Sequence, residues 1–290
     1  MISKCLLLSL LLMFIITTTC KLITETSFLM SHDAASGELD HDRDGIVEAY
    51  TKTQSVGINE QLNCGARSFD YRPYCDNNNV IAHHGDIKIK KFMNESIIEI
   101  QTWLSDSNDI VVLYLSHYDG DSDCQNITER LLQSLNVLSI TNCEDLRSLT
   151  VQDVFEKGKL VAVRDCMIEQ YDSSINCYTM DSTCYGINSD KTMKKLYTYV
   201  NESTYVIPKD AINSNAMFMT QAHWQSDALS VSIGTLHNSD ILKDESKSGV
   251  NKWLLNQINT NQLNYLNHIE VDNVCNYGLD IYQAIKIKYN

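Results

Sequence analysis

The residues best able to do chemistry lie in four short stretches. Near the N-terminus, Ser31-His32-Asp33 follows an apolar run and sets an imidazole beside a carboxylate. Residues 66–72, ARSFDYR, alternate like a strand, so Ser68, Asp70 and Arg72 share one face while Arg67, Phe69 and Tyr71 share the other. An Asp and an Arg two apart on an inward face are costly to bury unless they serve something. An internal Arg67–Asp70 ion pair is the competing use. In Ile81-Ala82-His83-His84-Gly85, His84 shares a face with Ala82, His83 takes the opposite, structural one, and the glycine permits a sharp exit. Late in the chain, His268-Ile269-Glu270-Val271-Asp272 offers another carboxylate at a strand end.

Two imidazoles and a fixed guanidinium suffice for acid-base phosphoryl transfer without a metal. A neutral His takes the proton of an attacking hydroxyl, a protonated one supplies the leaving oxygen, and Arg neutralises the nonbridging phosphate oxygens. Imidazole titrates near neutrality, so both protonation states are accessible together, and the planar guanidinium matches phosphate. The other histidines, His41, His117, His223, His237 and His268, lie in no such motif and read as packing or surface residues.

Such groups need a scaffold that brings distant strand ends together. Short β-rich runs at 27–31, 66–72, 80–83, 110–116, 159–164, 216–223 and 267–271 alternate with helical patterns at 90–104, 126–135, 151–156 and 252–259 and a last helix from Leu279. DIVVLYLSH and KLVAVRD are nearly continuous apolar runs, the mark of parallel strands covered on both faces. With no linker-like stretch, the pattern predicts one α/β domain over 21–290, a distorted TIM-like (βα) barrel whose chemistry gathers at the C-terminal strand ends. Segment 172–189, with Cys177, Cys184 and many Ser, Asn and Asp residues, reads as a long loop. KIKKF at 88–92 reads as a solvated helix start, with a place at the barrel rim as the alternative.

Of 290 residues, 23 are Lys or Arg against 37 Asp or Glu, a net charge of −14 that disfavours a nucleic-acid partner. Residues 1–20 have the charged start, short apolar core and small polar end of a secretory signal, which predicts a secreted protein. Of ten cysteines, eight lie beyond that segment, an even set that in a secreted chain points to disulfides. Local loops Cys64–Cys75 and Cys124–Cys143 are the expectation among about a hundred connectivities. There is no CxxC pair for zinc, and Asn94, Asn126 and Asn201 head glycosylation sequons.

SHDAAS, GARSFDYRPY and IAHHGDI, in that order, resemble the catalytic X region of phosphatidylinositol-specific phospholipase C, most closely its compact bacterial-type, metal-independent members. The resemblance covers roughly residues 25–120 and, through EVD, the C-terminal end. It implies a distorted barrel that cleaves phosphatidylinositol, or glycosylphosphatidylinositol anchors, by attack of the inositol 2-hydroxyl on phosphorus. The products would be diacylglycerol and an inositol cyclic phosphate. By motif, His32 resembles the general base, His84 the general acid and Arg72 the phosphate-stabilising arginine. Asp33 and Asp70 resemble the carboxylates that orient the acid and the phosphate site, and Asp272 the one holding the base in its tautomer. Arg164 is a candidate for holding inositol or phosphate, with a surface pairing to an acid such as Asp165 as its alternative. Trp224 and Tyr118 either stack on the inositol ring or pack beside the mouth. Arg72 stands where calcium-dependent relatives carry a carboxylate, so no cofactor is implied, and the chain is expected to act as a monomer. The chain departs from the bacterial pattern in its cysteines and in Ser116-His117. The alternatives are a catalytically silent inositide- or glycan-binding barrel, and a Mg²⁺-assisted barrel phosphodiesterase, which Arg72 disfavours.

Overall fold

The computed structural model describes residues 21–39, 49–169, 172–206 and 215–290. The signal-like segment 1–20 and His41 lie outside the described residues. Twelve strands are formed there: β1 (Phe28–Ser31), β2 (Ser68–Tyr71), β3 (Pro73–Asp76), β4 (Asn79–His84), β5 (Ile87–Phe92), β6 (Val111–Leu115), β7 (Asp119–Gly120), β8 (Leu138–Ile140), β9 (Leu160–Arg164), β10 (Met167–Glu169), β11 (Met217–Gln221) and β12 (His268–Val271).

Eight of them make one parallel sheet in the order β10-β11-β12-β1-β2-β6-β9-β8. Its curl follows from chain connectivity. Only Asp165 and Cys166 separate β9, near one edge, from β10 at the other, and three Cα steps reach at most about 11 Å. Asp165 N–H donates to Leu115 O on β6, while Cys166 O accepts from Met217 N–H on β11. The chain therefore passes from one edge region to the other between adjacent residues, and the sheet closes on itself except between β9 and β10. This is the distorted TIM-like barrel that strand and helix alternation predicts.

Alternation assigns each strand residue to the lumen or the outer shell. Inside, the lower layers are apolar, with Phe28, Met30, Val112, Val161 and Met217 in one buried cluster. Leu29, Phe69, Leu113 and Ile269 point outward to the covering helices. Higher in the lumen the same inward faces carry Asp70 and Glu270, so the sheet itself delivers charge to the C-terminal strand ends.

Three sequence expectations are corrected. The 80–83 run is not a barrel strand: β4 pairs antiparallel with β3 and β5, and β7 completes a four-stranded side sheet. Residues 88–92 are in β5, not a helix start, since Ile87 and Ile89 alternate with exposed Lys88 and Lys90; the helix is Met93–Ser105. Arg67 does not meet Asp70, which lies on the opposite face. Its guanidinium pairs with Asp109 at 2.9 Å and is sandwiched between the Trp103 and Tyr282 rings.

The disulfides also differ from the local expectation: Cys64–Cys275, Cys75–Cys124, Cys143–Cys166 and Cys177–Cys184. Cys64–Cys275 and Cys75–Cys124 join segments 211 and 49 residues apart, whereas Cys177–Cys184 closes a local loop with a separation of 7. Cys64 caps the Ile58–Asn63 helix against the start of the Gly278–Lys288 helix, so close that a Cβ on Gly278 would lie 2.6 Å from Cys64 O. Closing a loop with a separation of 211 residues restricts the unfolded chain strongly. Replacing Cys64 and Cys275 together by serine is expected to cost about 2–5 kcal/mol of unfolding free energy. Urea titration reads this directly, and an unchanged midpoint would show that the crosslink adds nothing.

Candidate active site

The ends of β1, β2 and β12 deliver the first groups. His32 leaves β1 with its N–H bound to Val271 O. Thr53 Oγ1 and Gln54 Nε2 both donate to its carbonyl, which fixes the backbone from the other side. Asp33 follows with φ 41° and ψ 52°, a left-handed conformation that Asp tolerates better than most residues. That turn directs its N–H to Asp70 Oδ2, 3.1 Å away, and folds its carboxylate over the lumen.

Arg72, just past β2, is held by both acids. Its Nε–H donates to Asp70 Oδ2 at 3.1 Å, and Nη2 lies 3.0 Å from the same carboxylate. Asp33 Oδ1 sits 2.7 Å from Nε, an ionic contact beside that aligned hydrogen bond. Burial alone would raise the Asp33 carboxyl, but Arg72, then His84 and His32, hold it well below the usual carboxylate range. For Asp70, burial prevails over Arg72 and its carboxyl is raised.

The two motif imidazoles converge on this group. His32 Nδ1 lies 2.8 Å from Asp272 Oδ1, leaving Nε2 3.2 Å from Asp33 Oδ2 and 3.5 Å from Arg72 Nη2. His84 arrives from the end of β4, its Nδ1 2.8 Å from Thr51 O and 3.3 Å from Asp33 Oδ2. The ring centroids are 6.4 Å apart with planes at 65°. Both rings and Arg72 line a cavity of about 480 Å³.

All six strand-end candidates, His32, Asp33, Asp70, Arg72, His84 and Asp272, therefore meet in one place. Arg164 does not line the cavity, and neither does Tyr118, whereas Trp224 does, with its indole N–H donated to Ser248. His83 lies off the cavity as its face predicts, its ring nitrogens held by Gly85 O and His117 O.

Sequence reasoning missed several partners. The His223 ring stacks on His32 at 4.0 Å and 15°, and its Nε2 lies 3.0 Å from Glu270 Oε2, both residues being buried. His117 and Glu169 line the cavity; Tyr114 O–H donates to Glu169 Oε1 and His117 Nδ1 bonds Ser116 Oγ. Their separation along the chain hides them, although four successive buried polar residues, Thr51 to Gln54, mark the clamp on His32 and His84. Burial would lower the His32 imidazole, but Asp33, Glu270 and Asp272 outweigh it and push it up to about 10. Oδ2 of Asp272 and Oε1 of Glu270 are buried without a hydrogen-bond donor, so their charge acts on that ring nearly unscreened. The site thus offers a basic nitrogen, a second imidazole and a permanent cation, all lining one cavity. Donor atoms of His32, Asp33 and Asp70 cluster closely enough for a cation, yet the Arg72 guanidinium is already among them.

No family model matches the sequence. No curated protein does either. Among solved structures, the chain is similar to phosphatidylinositol-specific phospholipase C from Staphylococcus aureus, in its F249X mutant, at 18% identity, with 94% of this chain and 95% of that one covered and a TM-score of 0.65. The same enzyme from Listeria monocytogenes matches at 15% identity over 92% and 94% of the two chains, with a TM-score of 0.63. Over more than nine-tenths of its length, then, the chain has the fold of these bacterial phosphatidylinositol-specific phospholipase C barrels.

Proposed function

We propose that this chain is a secreted phosphodiesterase of the phosphatidylinositol-specific phospholipase C type. It acts as a monomer on phosphatidylinositol, and on glycosylphosphatidylinositol anchors, to release diacylglycerol and an inositol cyclic phosphate. The observation that carries the reading is the pair of imidazoles, His32 and His84, 6.4 Å apart and lining one cavity together with Arg72. A volume of about 480 Å³ suits a headgroup, leaving the acyl chains outside.

In this reading His32 Nε2 takes the proton of the inositol 2-hydroxyl as its oxygen attacks phosphorus. Asp272 fixes the base by holding Nδ1–H. Arg72, anchored by Asp33 and Asp70, balances charge on the nonbridging oxygens through the N–H groups those acids leave free. His84, with Nδ1 committed to Thr51 O, presents Nε2 and gives its proton to the departing diacylglycerol oxygen. Since a guanidinium supplies the positive charge, the reaction needs no metal ion.

His32→Ala and His84→Ala are each expected to lower kcat at least about 10²-fold while the circular dichroism spectrum is unchanged. Full activity in either variant removes the acid–base pair. Turnover in excess chelator should equal that without it, and a requirement for added calcium would mean that Arg72 is misassigned. The pH profile has a definite sign. A base acts only when deprotonated, so carboxylates that raise His32 move the ascending limb of kcat/KM upward. Removing one of them, in Glu270→Gln, is expected to bring that limb to lower pH. A limb that stays in place would exclude Glu270 from tuning the base.

A further inference from the structure

His32 lines the cavity, and one face of its ring is covered by another imidazole. His223 lies against it at 4.0 Å between centroids with 15° between the planes, and only 1% of its surface is exposed. It does not line the cavity, so its partner in the site is His32. The chain on either side holds it there. Ala222 N–H donates to Glu270 O, which extends the β11–β12 ladder by one residue, and Gln225 N–H donates to Ile175 O. Between them the Trp224 indole N–H is bound to Ser248 Oγ, so the His223 ring has little freedom to leave the stack.

Both nitrogens of His223 face acceptors. Nε2 lies 3.0 Å from Glu270 Oε2, and Nδ1 lies 3.3 Å from Trp224 O. A neutral ring carries one proton and would set its remaining lone pair against a buried oxygen, whereas the doubly protonated ring satisfies both contacts. Assigned from these partners, His223 is an imidazolium paired with the Glu270 carboxylate.

The charge around His32 is one-sided without it. Asp33, Asp70, Glu270 and Asp272 bring negative charge from the ends of β1, β2 and β12, against Arg72 and His84. Each carboxylate tightens the hold of His32 on a proton, and carried too far this leaves a base occupied when it should accept. A cation stacked on the ring works in the opposite sense, because a like charge disfavours protonation. We propose that His223 is a positioning residue for the base: its imidazolium fixes the plane of the His32 ring and, paired with Glu270, offsets the carboxylate charge upon it. The proposal rests on the assignment of His32 as general base and deepens it, by naming the group behind the ring that sets its strength.

His223→Phe in the full-length protein keeps a flat ring against His32, removes the positive charge and leaves Glu270 unpaired. The ascending limb of kcat/KM is expected to move up by about one pH unit or more, a loss of about tenfold below the limb, while kcat on the plateau stays within about threefold. His223→Phe with Glu270→Gln removes both charges of the pair, and the limb should return to within about half a unit of its original place. The ring ¹⁵N signals of His32, titrated by NMR in the free protein, should follow the same order without reference to turnover. A limb and a titration left in place by His223→Phe overturn the proposal. So does a loss of kcat equal at every pH that Glu270→Gln does not relieve, since packing alone would produce it. Should His223→Phe fail to fold, the double variant carries the test, because it buries no unpaired charge: its His32 must titrate at least about one unit above that of Glu270→Gln alone, and equal values overturn the offset. Absent hydrolysis in all the proteins, with the His32 titration shifting as described, would sink the catalytic reading and leave the role of His223 standing.

Discussion

A guanidinium half-buried at the top of a barrel, among groups shielded from water, must be matched by anions for the fold to hold it there. Arg72 is matched twice, by Asp33 from the end of β1 and by Asp70 from its own strand, and the rest of the site is arranged around that requirement. Asp33 meets it by taking a left-handed backbone, which also places its second oxygen within reach of His32 and His84. One carboxylate thereby fixes the cation and both imidazoles. The parallel ladders supply the register: Phe28 faces His268 and Met30 faces Ser68, so His32, Asp70 and Asp272 fall at one level, with Arg72 two residues further along.

The layering of the lumen explains how such a charged cluster is tolerated. Apolar side chains fill the lower barrel and exclude water beneath the site, while the upper ends open into the cavity. In this half-enclosed setting the negative groups around His32 act strongly, and the ring becomes more basic than a free imidazole. His268, deeper in the same lumen and bound only to Ser68, goes the other way and falls to about 3, because burial meets no compensating carboxylate there. Two histidines 5.0 Å or less from an aromatic or imidazole neighbour thus differ in proton affinity through carboxylate placement, not through burial.

Much of the scaffold was legible in residue order. Runs such as VVLYL and LVAVR are apolar throughout because both faces are covered, and all seven strand-like runs are strands. The 80–83 run was assigned to the wrong sheet, since alternation defines a strand without naming its partner. The Ala228–Leu236 helix is not legible in the sequence because its apolar residues alternate with Ser, Gly and Thr and show no 3.6-residue period. The Ser189–Val206 helix follows a loop-like stretch rich in the same small polar residues that open it. KIKKF was misread because its lysines resemble a helix start, while its isoleucines keep the period of a strand.

Residue order alone determined the chemical types available and the local geometry of each motif: His next to Asp after β1, Asp and Arg two apart on β2, a His pair before a glycine. Those are short-range facts, since alternation along a strand and the reach of one turn follow from backbone geometry. Tertiary structure alone decided that His32 would meet Asp272 across 240 residues, that His223 and Glu270 would stand behind it, and that Cys64 would join Cys275 and not Cys75. Such meetings depend on strand order and on how far the sheet curls before its edges approach. Both are set by the packing of the whole chain, and spacing along the sequence carries no record of either.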